Sequence, residues 1–193
     1  MACGLLSKGR GLDCNRISGG VKYIYFGVYD QFDAPIDGTG IVVVNSEITD
    51  IEMGANRLYR YTVPRGSTTI NETITGSTEN GTLFYTPTVS MILNRLTKED
   101  QNEIKLLGQT QVVCFAQLNA TLTNGHDVIV GMGVTNAMSL NAGTADSGSG
   151  FGDRNGYTLN FDGAESDPFP MVADYTTEPF DNAAFTMGTI VKS

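Results

Sequence analysis

The segment that most constrains the fold is a polar, β-branched run that passes through a tight turn into a second extended run. Thr68–Thr75 is rich in threonine and isoleucine, Glu79-Asn80-Gly81 provides the turn, and Thr82–Leu93 continues as a long strand. A strand that is polar on both faces buries little side-chain surface, so it lies at a sheet edge or pairs with a neighbouring molecule. We therefore predict an inter-subunit strand with four contact residues: Thr68, Ile70, Glu72 and Thr73.

Most of the remaining chain also has the pattern of strands. Pro87 interrupts the second extended run, and because proline cannot donate to a ladder, we expect that strand to lie at an edge or to carry a bulge. In the first strand of the chain, Val21 is expected to share a face with Tyr23 and Tyr25. The other predicted strands are Val21–Tyr29, Ile41–Val44, Glu47–Met53, Asn56–Val63, Gln111–Leu118, Asp127–Met132, Val134–Leu140 and Tyr157–Phe161.

One segment has the pattern of an α-helix. Thr97 is a suitable N-cap, Asp100 three residues later resembles a capping box, and Gly108 is a natural stop. The predicted helix covers residues 98–107, and Ile104 and Leu107 share one face of it. A helix of this length needs packing to be stable, so we expect it to lie against the outside of the sheet.

The 193 residues suffice for one domain, which we expect to be flanked by two arms. Residues 1–20 are predicted to be an N-terminal arm, residues 21–163 the β domain, and residues 164–193 an acidic, extended C-terminal arm. The prolines and spaced aromatic residues of the last segment suggest that it docks on another surface. Within the domain, the Gly- and Ser-rich run Asn141–Asp153 is predicted to be a flexible loop.

The charge balance excludes one class of partner. Lys and Arg number 12 and Asp and Glu number 21, which gives a formal net charge of −9. Neutralising phosphates requires clustered cations, so we do not expect a protein that wraps nucleic acid. No run approaches the roughly 18 apolar residues of a membrane helix, and no signal peptide is recognisable. Cys114 lies in an apolar run and is predicted to be a small buried side chain.

Candidates for catalysis or ligand binding are weak. His126 is the single histidine and is expected to be a solvated turn residue. Gly148–Gly152 resembles a phosphate loop but precedes a predicted strand, whereas a phosphate loop requires a helix there. Asp146, Asp153 and Asn155 offer oxygen ligands for calcium, but their spacing matches no EF-hand. We expect no catalytic residue, no cofactor and no metal.

Five tyrosines alternate along two predicted strands. A platform for stacking bases or sugars is one interpretation, and packing or a subunit interface is the other. The absence of neighbouring Lys and Arg clusters favours packing. The residues are Tyr23, Tyr25, Tyr29, Tyr59 and Tyr61.

Four segments resemble a known family when they are taken together and in order. Ser18–Tyr25, Ser77–Tyr85, Arg95–Leu107 and Gly152–Leu159 are similar to the opening, middle, helix and late strand of tail tube proteins of tailed bacteriophages. The resemblance is scattered over residues 18–161 and rests on structural motifs. It implies a mainly β fold, a β-barrel or sandwich with one flanking α-helix and extended terminal arms.

The resemblance also implies a function. The chain would be a non-enzymatic virion protein of the viral tail, synthesised in the host cytoplasm, whose hexameric rings stack into a tube around a DNA-ejection channel. Its partners would be further copies of itself, other tail or neck proteins, and double-stranded DNA that passes without specific binding; no membrane is involved. A tail-neck ring, tail terminator or head–tail adaptor shares this fold. A carbohydrate-binding β-sandwich with calcium at Asp146 and Asp153 is the alternative from another class.

A DNA channel gives the acidic charge a role. Carboxylates that line the channel would repel phosphates, whereas a cationic lining would bind them and stall transit. The same residues would otherwise be outward, solvated positions. The candidates, chosen because they lie in or beside predicted strands, are Glu47, Asp50, Glu52 and Glu72.

Overall fold

The computed structural model describes residues 9–10, 18–32 and 40–192, and these form a mainly β fold with one α-helix. The described strands build a twelve-stranded sheet that does not close into a barrel, so the architecture is sandwich-like, as the predicted fold class allowed. The predicted arm over residues 1–20 lies largely outside the described residues. The elements are β1 (Val21–Val28), β2 (Ile41–Val44), β3 (Glu47–Ile51), β4 (Tyr59–Thr62), β5 (Thr69–Ser77), β6 (Thr82–Asn94), α1 (Lys98–Leu107), β7 (Val112–Thr121), β8 (Asp127–Met132), β9 (Met138–Asp146), β10 (Gly156–Gly163), β11 (Met171–Val172) and β12 (Val191–Lys192).

The strand order of the sheet has a main path with β2 at one end and β5 at the other. It runs β2-β3-β11-β8-β7-β9-β10-β6-β5, and β1 joins it by pairing with β7. β4 pairs with the other edge of β1, and β12 pairs with β4. β2 and β5 are therefore the terminal strands of the main path.

β1 and β7 are buried on both faces and divide two hydrophobic cores. In β7, Val112, Cys114 and Ala116 point to one side, while Val113 and Phe115 point to the other. The side chains that join the first three in the first core include Ile24, Phe26, Met91, Leu159 and Phe161. Those in the second core include Tyr25, Ile48, Ile51, Leu58 and Phe180. Cys114 is buried as predicted, and burial raises the pKa of its thiol.

A β-bulge corrects the predicted faces of β1. The register with β7 shifts between Val21 and Tyr23, so Val21 points into the first core with Ile24 and Phe26. Tyr23 and Tyr25 face the second core. Simple alternation placed Val21 with the tyrosines, which is wrong because it assumed an unbroken period of two.

The helix has the predicted bounds and cap. The Thr97 hydroxyl accepts a hydrogen bond from the backbone N–H of Asp100 at 3.0 Å and donates to the Asp100 carboxylate at 2.6 Å. Ile104 and Leu107 are half-buried and pack against the first core, as predicted. The last turn closes at Gly108, whose N–H bonds to the carbonyl of Ile104.

Two predictions near β9 are wrong. Residues 133–137 form a turn rather than a strand, and β9 extends to Asp146, through the first half of the predicted loop. β9 pairs with β10 from Met138–Gly163 to Asp146–Gly156. Its small residues suit this pairing, since a Cβ on Gly143 would lie 3.1 Å from the carbonyl oxygen of Thr158. Pairing with a neighbouring strand outweighs the weak strand propensity of this sequence.

The C-terminal segment is extended, but it packs on its own chain. Glu165 exchanges backbone hydrogen bonds with Tyr85, β11 pairs with β3 and β8, and β12 pairs with β4. Val172 and Phe180 are buried in the second core. Residues 164–192 therefore cover a face of their own sheet, where the sequence suggested an arm for another surface.

Candidate assembly surface

One long strand of the sheet has a free backbone edge. β5 pairs with β6 over its whole length, and no described strand pairs with its other edge. Tyr85 of β6 bonds to Glu165 on the side away from β5, so the alternation of an antiparallel ladder assigns the odd-numbered residues of β5 to β6. The even-numbered residues Ile70, Glu72 and Ile74 direct their backbone N–H and C=O groups to the free edge.

Pro87 does not mark an edge strand or a bulge, so that prediction is wrong. β6 lies between β5 and β10, and its pairing with β5 runs without a shift from Thr82 to Ser90. The pairing of β6 with β10 stops at the pair Thr88–Asp162, so Pro87, the preceding residue of β6, lies just outside this ladder. By the same alternation, the Pro87 nitrogen faces that side, so its missing N–H costs no bond to β5.

The four predicted contact residues of this strand have different surroundings. Thr68 is buried just before β5, and Ile70 packs against the first core. The carboxylate of Glu72 accepts a hydrogen bond from the backbone N–H of Phe169 at 2.8 Å. Thr73 is exposed, but the ladder alternation directs its backbone to β6.

The exposed apolar side chains of the hairpin lie nearer its tip. Ile74, Leu83 and Phe84 are all exposed, and they lie beyond the part of β6 that pairs with β10. These three residues are not among the predicted contact residues, because the polar β-branched pattern of the strand hides the apolar tip. Counting residues back from the Asn80-Gly81 turn would have paired Ile74 with Tyr85 and indicated an apolar tip.

The four acidic candidates do not lie on one strand. Glu47, Asp50 and Glu52 lie along β3 and at its end, where Glu47 is exposed and the other two are half-buried. Glu72 lies on β5, at the opposite end of the strand order. The Glu72 carboxylate also has a hydrogen-bond partner within the chain. The structure therefore brings only Glu47, Asp50 and Glu52 close together in one part of the sheet.

The loop between β9 and β10 uses its acids to bind its own backbone. One carboxylate oxygen of Asp153 accepts hydrogen bonds from Ser149 N–H, Ser149 Oγ and Gly150 N–H at 3.0, 2.9 and 2.7 Å. Asp146 accepts from Gly148 N–H, and the Asn155 side chain accepts from Leu96 N–H. The oxygens considered for calcium thus shape a hairpin loop, and the glycines lie before a strand.

His126 joins the β7–β8 turn to the C-terminal segment. Its Nδ1 lies 2.7 Å from an Asp174 carboxylate oxygen, and its ring stacks on Tyr175 with centroids 4.4 Å apart. The Tyr175 hydroxyl accepts the backbone N–H of Asp127 at 2.9 Å. His126 is therefore held by side-chain contacts, where a solvated turn residue was predicted. Asp174 lies 48 residues away, so no local sequence signal indicates the contact.

Glu165 is a buried carboxylate that the sequence analysis did not single out. Its two oxygens accept the backbone N–H groups of Thr135 and Asn136 at 3.1 Å each. Burial raises its pKa above the usual range, and these hydrogen bonds partly offset the effect. The residue lines a cavity of about 300 Å³ with Pro87, Asp167 and Phe169. It fixes the β8–β9 turn to the C-terminal segment.

The tyrosines divide between two faces and form no common platform. Tyr59 and Tyr61 lie on the first-core face, where Tyr61 meets Phe26 edge to face. Tyr23 and Tyr25 lie on the second-core face, where the Arg60 guanidinium sits 4.5 Å above the Tyr23 ring. Burial raises the pKa of Tyr25 to about 12. Packing, the second interpretation of the sequence, describes them better.

No protein-family model, no curated protein and no solved structure matches the chain. Among the described residues, no three His, Cys, Asp or Glu side chains converge in an arrangement that could hold a metal ion. None of the helices in the described ranges is long and apolar enough to cross a bilayer.

Proposed function

We propose that this chain is a non-enzymatic virion protein, the tail tube subunit of a tailed bacteriophage, and that its hexameric rings stack around a DNA-ejection channel. The observation that supports it best is the free edge of β5. An unpaired edge of nine residues is a template for association, and a closed ring of identical copies satisfies it without open-ended aggregation. The resemblance of four segments to tail tube proteins supplies the family.

The tip of the β5–β6 hairpin supports the same proposal. Ile74, Leu83 and Phe84 expose apolar surface on an element that extends beyond the rest of the sheet. Apolar side chains at the centre of a contact contribute most of its energy, while the backbone edge sets its register. The hairpin offers both in one place.

The acids of β3 have a role in this proposal. Glu47, Asp50 and Glu52 would face the channel and repel the phosphates of passing DNA, in keeping with the net charge of −9. Glu72 is a poorer candidate for the channel lining, because its carboxylate accepts a hydrogen bond from the backbone N–H of Phe169.

Proline substitutions at adjacent positions test the proposal. Ile74→Pro removes an N–H from the free edge, so we expect it to abolish rings and tubes in negative-stain images while the monomer stays folded. Ile74→Val is the matched control, since it keeps the N–H and a β-branched apolar side chain. Thr73→Pro removes an N–H that bonds to β6, so we expect it to destabilise the monomer itself. Normal tubes from Ile74→Pro would contradict the assembly edge.

The same images separate the related functions. Stacked tubes support the tail tube subunit, whereas single rings indicate a tail-neck ring, tail terminator or head–tail adaptor. A monomer that binds glycans would instead indicate the carbohydrate-binding alternative.

A further inference from the structure

The loop between β9 and β10 presents an aromatic side chain wholly to solvent. Phe151 is 114% exposed relative to a reference residue, which is the highest exposure among the large hydrophobic residues of the described chain. A phenyl ring in water has an unfavourable free energy, because burying an aromatic side chain removes 150–250 Å² of surface from solvent. A single exposed apolar side chain is common on protein surfaces, but Phe151 differs from the others in that its ring is wholly uncovered.

The loop is held in shape by its own hydrogen bonds. Asp153 binds Ser149 and Gly150 as described above, and the Asp153 N–H donates back to the carbonyl of Gly150 at 3.1 Å. At the base of the loop, Asn155 bonds through its backbone and its side chain to Arg95 and Leu96. A loop fixed in this way loses little conformational entropy when its tip is bound.

A matching cavity lies elsewhere on the molecule. Between β1, β4 and the C-terminal half of α1 there is a cavity of about 220 Å³. Its apolar lining includes Phe26, Val28, Tyr61, Leu106, Leu107 and Val112. An apolar cavity of about 150 Å³ can hold a benzene ring, so the volume is sufficient for a phenyl group. Leu106 is 56% exposed at the rim.

Each feature has a charged residue of opposite sign beside it, Arg154 on the loop and Glu103 at the cavity; Asp153 also lies on the loop, and Arg60 also lines the neighbouring groove. Arg154 lies three residues after Phe151 and is exposed, with one guanidinium nitrogen donating to Thr158 at 2.7 Å. Glu103 lines the cavity, and Asp100 lines the wider groove that shares Tyr59, Tyr61 and Glu103 with it. The loop thus carries a cation three residues from the aromatic ring, and the cavity has acidic side chains at its margin, which is a complementary pair of charges for a contact between two copies.

We infer that Phe151 and Arg154 of one copy dock on a second copy, with the phenyl ring in the cavity beneath α1 and the guanidinium against Glu103 and Asp100. Phe151 does not occupy the cavity of its own chain, because it is fully exposed. A contact between two different surfaces of identical chains is head-to-tail, and repeated copies of it form a ring or a filament. This inference rests on the proposed self-assembly and assigns a contact surface separate from the β5 edge.

Two complementary variants test this contact. Phe151→Ser removes the ring and keeps the cavity, whereas Leu106→Lys keeps the ring and places a cation at the rim. In sedimentation velocity we expect each variant alone to self-associate at least about 10-fold more weakly than the wild type. Mixed one to one, with one variant fluorescently labelled, they should bind each other with the affinity of the wild-type contact. A mixture that binds no better than either variant alone overturns the inference.

The charges provide a second test that leaves the apolar side chains of the cavity unchanged. Arg154→Glu should weaken association, and mixing it with Glu103→Arg should restore it. Absence of any rescue overturns the assignment of Arg154. Leu122→Ser is the matched control for Phe151→Ser, since Leu122 is an exposed apolar residue on the β7–β8 turn and its replacement should not affect association.

The outcomes separate this inference from the proposed function. A wild-type protein that remains monomeric at all concentrations contradicts both. Wild-type assembly that is lost in Ile74→Pro but unchanged in Phe151→Ser and Leu106→Lys contradicts only the Phe151 contact. Binding of Phe151 to an unrelated protein, with no effect on association between copies, also contradicts it.

Discussion

Two carboxyl groups in the C-terminal segment respond to pH in opposite directions. Burial raises the pKa of Glu165, so protonation of this carboxyl favours the folded state. The resulting contribution to the free energy of unfolding is fully present below the pKa of the unfolded state. It is lost as the pH rises through the pKa of the folded state. The hydrogen bond from His126 lowers the pKa of Asp174. The Asp174 contribution is therefore present above the unfolded pKa and is lost as pH falls through the folded value. Each fixes the C-terminal segment to a different turn.

Glu165→Gln isolates the first of these effects. The amide cannot ionise, so we expect the free energy of unfolding of this variant to change less than that of the wild type between pH 4.5 and pH 8. Urea denaturation across that range measures it. Glu79→Gln, at the exposed hairpin turn, is the control and should retain the wild-type dependence. An identical decline in Glu165→Gln and the wild type would show that burial of this carboxyl has no energetic consequence.

At the scale of elements, the sequence predicts features that depend on neighbouring residues and does not predict features that depend on distant partners. The bounds of α1 were predictable because Thr97, Asp100 and Gly108 act within one turn of its ends. Residues 141–146 of β9 are predicted to be loop because their strand character comes from pairing with β10, which no residue of Asn141–Asp153 signals alone. The bulge at Val21 and the binding of Glu72 to Phe169 likewise depend on partners far along the chain.

Adjacent leucines on α1 measure how the helix is held. Leu107 is half-buried against the first core, so Leu107→Ala should lower the free energy of unfolding by about 1–2 kcal/mol, less than for a fully buried leucine. Leu106→Ala should change it by less than about 0.5 kcal/mol, because that side chain is mostly exposed. Chemical denaturation of both variants checks this. Equal losses would mean that the two faces of the helix are not distinguished by packing.

At the scale of the whole molecule, two cores share the strands that separate them. β1 and β7 contribute side chains to both, so loss of either core leaves these strands bare on one face. We expect a single cooperative unfolding transition for the described body of the protein. The second core depends on the C-terminal segment, where Phe180 contacts Tyr25 and Phe115 with ring centroids 5.0 and 5.3 Å apart.

Phe180→Ala therefore tests the whole fold. Removing a buried aromatic side chain should cost about 3–5 kcal/mol and shift the single transition as a unit. Phe151→Ala is the matched control, and because its ring is fully exposed it should cost less than about 0.5 kcal/mol. Thermal melts followed by circular dichroism and by tyrosine fluorescence should coincide in each case. Two separate transitions in Phe180→Ala would show that the cores unfold independently.

The position of Phe180 in the chain has a consequence for biosynthesis. A ribosome makes β1, β3 and β7 well before the segment that covers them, since Val172 and Phe180 follow every long strand of the sheet. A nascent chain that has emerged through β10 carries all the strands of the first core, while the second-core face of β1 and β7 still lacks Val172 and Phe180. Closing that face is a late event of translation, and until then the polypeptide exposes a surface that chaperones recognise.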